Sequence, residues 1–355
     1  MPAAIVANLI ILSILVAGTA LYALDAALYY HSSQEDRLLE WLTYWAFVVA
    51  AVGFLAHAVR DRRERGGVPW FAVGLGIFCV IVALEEISWG QRLIGYKPPD
   101  YFLTQNYQQE FNLHNVVGTE LRMAALQLIL CGYGVVLSSL ALIKPAALWL
   151  NRMRVIVSPP ALMPGFASLS ALYAWYPLDY TGEWVECALG FGFAFVASLA
   201  GAGNGSITAM RNVLFSTVAA FLLAVPTVAV VQMIHGSDAD RVAQAREEIA
   251  SLVTDFEAPQ LHTRCGIHKR LFTFVQEYNQ TYLGRGEFAA RLRESDQYPR
   301  ADYLLDPWNA PYWVRHHCAD GRSVAFVYSF GPDRRRDSSE WKILGDDIGG
   351  YFIGP

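Results

Sequence analysis

Trp70-Phe-Ala-Val-Gly-Leu-Gly-Ile-Phe-Cys-Val-Ile-Val-Ala-Leu-Glu-Glu86 decides the fold class. Fifteen residues without a charge are followed at once by two glutamates. A bilayer core of roughly 30 Å is crossed by about 20 apolar residues in a helix. The run, taken as about 69–88, has that length, and six others resemble it: about 4–30, 41–60, 120–143, 160–177, 184–203 and 212–235. The 160–177 stretch is the least regular, because Pro164, Gly165 and Pro177 interrupt it. The first is too long, and too free of an opening basic segment, to be a cleaved signal peptide. The expected fold is therefore a polytopic α-helical membrane protein with seven spans.

Composition agrees. Of 355 residues, 54% are hydrophobic and 17% charged, with a mean hydropathy of +0.28, whereas soluble domains carry about 25% charged residues. The deficit lies before residue 235. The expected domains are a transmembrane domain over 1–235 and a water-facing domain over 236–355, divided near His235-Gly-Ser-Asp238. Basic residues favour cytoplasmic loops. Arg60-Asp-Arg-Arg-Glu-Arg65, then Lys144, Arg152 and Arg154, then Arg211 mark three such loops. That order puts the N-terminus in the cytoplasm and the C-terminal domain outside, in the periplasm if the membrane is a bacterial inner membrane. Oxidation is permitted there, so Cys265 and Cys318 are either a disulfide or two free thiols. A net charge of −5 without an outer basic patch argues against nucleic acid.

In the outer domain, Val242, Ala245, Ile249, Leu252 and Val253 recur at helical spacing, and Leu271, Phe274, Val275 and Tyr278 mark a second helix. Tyr312–His316 and Ser323–Ser329 read as strands joined by the turn Ala319-Asp-Gly-Arg322. Asp306-Pro-Trp-Asn-Ala-Pro-Tyr312 precedes them, and Ser329-Phe-Gly-Pro-Asp333 and Asp346-Asp-Ile348 follow.

That order, over about 212–350, resembles the C-terminal domain of the major pseudopilin of type II secretion systems. The resemblance implies an α+β domain in which a helical spine packs on a small antiparallel sheet. It also implies a calcium ion in the loop, held by Asp333, Asp346 and Asp347, with Asp337, Ser338 and Ser339 as further oxygen donors. Arg334-Arg-Arg336 stands where that family has glycines and acids, and three cations oppose a divalent ion unless they point away. No leader with glycine before F-T-x-x-E precedes the last span. Filament assembly is therefore not expected, and the domain reads as a tethered docking module with a periplasmic or membrane protein partner.

The second motif is Leu84-Glu-Glu-Ile-Ser-Trp-Gly-Gln-Arg-Leu93 with Asn106-Tyr-Gln-Gln-Glu-Phe-Asn-Leu-His-Asn115, a pattern that resembles uncharacterised polytopic bacterial membrane proteins. Ionisable groups in spans are costly and usually face a protein interior or cavity. Continued as a helix, the motif sets Glu85, Ser88 and Arg92 on one face. The sixth span opens with Asp179-Tyr-Thr-Gly-Glu-Trp-Val-Glu186, which places Glu183 and Glu186 one turn apart. All these groups belong to the outer leaflet, so Glu85, Glu86, Glu110, His114, Glu183 and Glu186 are candidates to converge, with Arg92 as a countercharge. Three readings follow: a divalent metal that activates water, a polar headgroup or quinone-like ligand, or a network that only ties loop to helix ends. The leading functional expectation is an inner-membrane docking or assembly component. The alternative is a metal-dependent hydrolase or transferase acting on lipid-linked substrates, with Glu85, Glu86, His114, Glu183 and Glu186 as catalytic residues.

Overall fold

The computed structural model describes residues 2–34, 36–94, 99, 101–102, 110–114, 116–200, 206–235, 238–255, 306–308, 312–319, 322–332, 337–338 and 342–353. Cys265, the expected helix near 271–278, Asp333 and Arg334–Arg336 lie outside the described residues, as does the Cys318 side chain. The chain divides into one unit of Met1–Trp89 with Val117–Val230 and a second of Gly90–Val116 with Val231–Pro355.

The first unit is helical. Its elements are α1 (Pro2–Leu24), α2 (Ala26–Ser33), α3 (Leu38–Arg65), α4 (Trp70–Glu86), α5 (Thr119–Gln127, wound as a π-helix over Leu128–Leu137 and closed by Ser138–Leu140), α6 (Lys144–Arg152), α7 (Met163–Trp175), α8 (Thr181–Leu199) and α9 (Ile207–His235). Each of the seven expected stretches contains one of these helices. Among the described residues, five runs are long and apolar enough to cross a membrane, as a multi-pass membrane protein requires: Pro2–Leu24, Leu28–Arg65, Glu120–Leu140, Thr181–Leu199 and Ile207–Ala250. The helices in the other two stretches are shorter, α4 at 17 residues and α7 at 13. Asp25 breaks the first stretch: its Oδ1 accepts from Leu28 N at 3.0 Å and starts α2.

The unit is assembled around α8, most of whose residues are buried. Small residues let the helices approach closely. Trp184 covers Gly18 of α1, where a Cβ would fall 2.7 Å from the ring, and Phe166 of α7 covers Gly134 of α5, where it would fall 2.3 Å away. Phe193 of α8 meets Phe47, Phe54, Phe78 and Tyr133, the last stacked at 5.4 Å. Asn8 of α1 reaches the start of α7, where its Oδ1 accepts from Gly165 N at 2.7 Å. One otherwise orphaned amide of a helix N-terminus is satisfied this way.

In the second unit, α10 (Asp238–Asp255) packs on a three-stranded antiparallel sheet ordered β1 (Trp313–Ala319), β2 (Arg322–Ser329), β3 (Ile348–Ile353). The expected hairpin is present, closing at Ala319 opposite Arg322. The strand β3 was not expected. Ala245 and Ile249 of α10 are buried, and Gly350 on β3 lets the helix come close, since a Cβ there would meet Ile249 at 2.9 Å. Asp306 ties the Asp-Pro-Trp turn to the end of β2: it accepts from Trp308 N at 3.0 Å and from the Ser329 hydroxyl at 2.6 Å. Trp308 is buried beside it.

Candidate functional site

Along α4 the buried positions are Ala72, Gly76, Cys79 and Ala83. Steps of four, three and four residues mark one face, and the next step of three reaches Glu86. Glu85, about 100° away around the helix, lies off that stripe, and its Oε1 accepts from Trp89 Nε1 at 2.7 Å. On α8, Glu183 and Glu186 lie one turn apart. One carboxylate oxygen each from Glu86, Glu183 and Glu186 come within 4.8 Å of one another, and all three residues are half-buried. Among the described residues this is the one group of three such ligands.

Two expectations change. The helical face carrying Glu85, Ser88 and Arg92 does not form, because α4 stops at Glu86 and Ser88 and Trp89 adopt left-handed φ values of 47° and 55°. Of the five catalytic candidates, Glu86, Glu183 and Glu186 come together. Glu85 is engaged by Trp89, while His114 is exposed on the segment grouped with the second unit. Glu110 of that segment is buried and accepts from Asn112 Nδ2 at 3.1 Å.

The end of the helical unit that carries the trio is built from strained turns. Asp36, Ser88, Trp89, Tyr176 and Tyr180 all have positive φ, a conformation that costs on the order of 1–3 kcal/mol at each non-glycine residue. These residues flank the start of α3, the end of α4, the end of α7 and the start of α8. The turns are fixed by specific bonds. Asp36 N donates to Glu40, Tyr29 OH donates to Asp179 O at 2.8 Å, and Trp184 Nε1 donates to Ser33 Oγ at 3.0 Å. Tyr29 stacks on Trp184 at 5.8 Å. The Tyr173 and Tyr176 hydroxyls feel both the Glu183 and Glu186 carboxylates and the Arg122 guanidinium.

Three carboxylates this close repel by roughly 3 kcal/mol per pair at an effective dielectric of about 20. They are also hard oxygen donors. Two oxygens on one ion are separated by at most twice the bond length, about 5 Å for calcium and about 4 Å for magnesium. With all three oxygens within 4.8 Å of one another, the trio is close to the spacing at which one divalent ion is shared.

In the second unit, Asp337, Asp346 and Asp347 are described and Asp333 is not. Asp347 clamps the loop: its Oδ2 accepts from Ser338 N at 2.7 Å and Asp337 N at 3.2 Å. Its Oδ1 is buried and accepts no hydrogen bond among the described residues. Burial raises its carboxyl to about 6, against the opposing effect of the Ser338 hydrogen bonds. Gly345, at φ 61°, brings its backbone against the Asp337 carboxylate.

No protein-family model, curated protein or solved structure matches the chain. The functional reading therefore rests on the residues themselves.

Proposed function

We propose that this protein is a multi-pass, inner-membrane enzyme that uses a divalent cation held by Glu86, Glu183 and Glu186 to hydrolyse or transfer a group of a lipid-linked substrate. The convergence of these three carboxylates, from two helices distant in sequence, carries the reading. The ion would act as a Lewis acid or supply an activated water. The strained turns and the surrounding tyrosines support the reading, since local rules are most often broken at functional sites. If the chain crosses seven times, the charge bias of the loops favours the outer leaflet for this end, within reach of headgroups. The test is manganese titration of the purified full-length protein, read by electron paramagnetic resonance. One ion bound by the trio is expected, with its affinity weakened roughly tenfold or more in Glu183→Gln and Glu186→Gln. Absence of binding in the wild type, or unchanged binding in both variants, would refute the reading.

A second reading concerns the other unit. A helical spine on an antiparallel sheet supports a tethered pseudopilin-like periplasmic module that docks a protein partner. The buried, unbonded Asp347 Oδ1 supports a calcium loop of Asp333, Asp337, Asp346 and Asp347. Deleting residues 240–355 is expected to abolish co-purification of the partner while manganese binding by the helical unit persists. Failure of the intact protein to retain any partner would remove this reading without touching the first.

A further inference from the structure

At the opposite end of the helical unit, a groove of about 720 Å³ runs between α3 and α9, with the end of α8 as its floor. This volume is in the range of about 300–1,000 Å³ typical of small-ligand sites. Its walls change character along their length. At one end stand Arg60, Arg211 and His57, with the Ser206 and Thr208 hydroxyls beside them. Farther along come Val52, Phe215 and Leu223, all exposed and apolar. On α3 the lining runs from Arg60 back to Val48, and on α9 from Arg211 forward to Leu223. Each spans thirteen residues, a rise of about 18 Å of helix, slightly more than the roughly 15 Å half-thickness of a bilayer core.

Side-chain bridges hold α9 off its neighbours. Trp45 Nε1 donates to Thr227 Oγ1 at 3.0 Å past the apolar end, and Ser198 and Ser216 hydroxyls meet at 2.7 Å across the floor. Neither Arg60 nor Arg211 makes an ion pair among the described residues, whereas nearby Arg65 and Arg154 are both drawn to Asp61. The His57 Nδ1 atom is buried and has no hydrogen-bond partner among the described residues. Ser206 caps α9, accepting from Ala209 N at 3.0 Å, so the positive end of that helix dipole also faces this region.

We propose that this groove is a binding site for an anionic phospholipid of the surrounding bilayer. The headgroup phosphate sits between Arg60, Arg211 and His57, and one acyl chain lies along Val52, Phe215 and Leu223. Basic pockets between membrane helices recognise anionic headgroups in this way. The charge of the groove also selects against its other occupant, a helix from a second copy, which would bring the same arginines against these.

The test is native mass spectrometry of the full-length protein with phosphatidylglycerol and phosphatidylcholine of identical acyl chains. Wild-type protein is expected to retain phosphatidylglycerol roughly thirtyfold better, since each of the two arginines near a headgroup is worth about 1 kcal/mol. Arg60→Gln/Arg211→Gln is expected to lose the preference. Arg62→Gln/Arg63→Gln, at the same helix end but outside the groove, is expected to keep it. Ala219→Trp fills the apolar part while leaving both arginines in place, and is expected to lose retained lipid with an unchanged circular dichroism spectrum and manganese titration. Equal retention of the two lipids by the wild type would overturn the proposal, as would an unaltered preference in Arg60→Gln/Arg211→Gln. Full displacement of the lipid by excess inorganic phosphate would also overturn it, by showing a site for a soluble anion.

Discussion

Glu248 offers a quantitative test of the second unit. It lies on α10 at 2% exposure, accepts from the Tyr312 hydroxyl and from Gln244 Nε2, and is raised from its ordinary value near 4.5 to about 7, chiefly by burial. The folded state therefore holds a proton that the unfolded chain has released. Stability is full below about pH 4.5 and falls as pH rises through 7, with a total loss of about 3 kcal/mol. Of this, about 2 kcal/mol falls between pH 5.5 and 8. Asp347, raised from 3.8 to about 6, loses stability in the same direction, with about 1 kcal/mol remaining in that window. Glu248→Gln keeps an acceptor for Tyr312, needs only a rotation of the Gln244 amide, and cannot ionise. Hydrogen exchange in the full-length protein, followed in peptides from 238–255 and 322–329 and corrected for intrinsic rates, reads the opening free energy directly. Wild type is expected to lose about 3 kcal/mol from pH 5.5 to 8 and Glu248→Gln about 1 kcal/mol. The same loss in both would refute the assignment of the pH dependence to this buried carboxyl.

Three further outcomes are expected. Glu85→Gln should leave manganese affinity within about twofold of wild type while Glu183→Gln weakens it roughly tenfold or more, and equal effects in the titration would show that Glu85 shares the ion. Gly134→Val should overpack α5 against Phe166 and lower thermal stability in detergent by about 1–3 kcal/mol or more, read by the melting of near-ultraviolet dichroism; an unchanged melting point would contradict the close approach. Asp306→Ala should strand the Ser329 hydroxyl and the Trp308 amide at a cost of about 1–3 kcal/mol, seen as faster exchange in 322–329 with α3 and α8 unaffected.

Much of the helical unit was legible because lipid imposes a simple rule: an uninterrupted apolar run has to satisfy its own backbone. The helices fall where the apolar runs predicted them, and their ends do not. The end of α4 was misread because Ser88 and Trp89 are unremarkable in a helix, and nothing in their chemistry announces a left-handed backbone. The hairpin was legible from alternation and its turn. The strand β3 was not, because Gly349 and Gly350 lower strand propensity, and the reason for Gly350 is a contact with Ile249 about a hundred residues earlier.

The candidate site divides along the same line. Glu183 and Glu186 share a face by spacing alone, and the sequence carries that fact. The choice of Glu86 over Glu85 was also written there, in the small residues Ala72, Gly76, Cys79 and Ala83, whose stripe leads to Glu86. A neighbouring pair of acids can present only one member to a given partner helix, so the phase of the small residues decides which. The partner here is α8, buried on nearly all sides, and a helix that central has little water in which to hide two acids at its first turn. Acids on the central helix, a third acid on its neighbour and five left-handed residues in the turns around them are each unfavourable alone. Their coincidence at one end of the unit is what supports the proposed cation site. The manganese titration tests that site independently of any substrate.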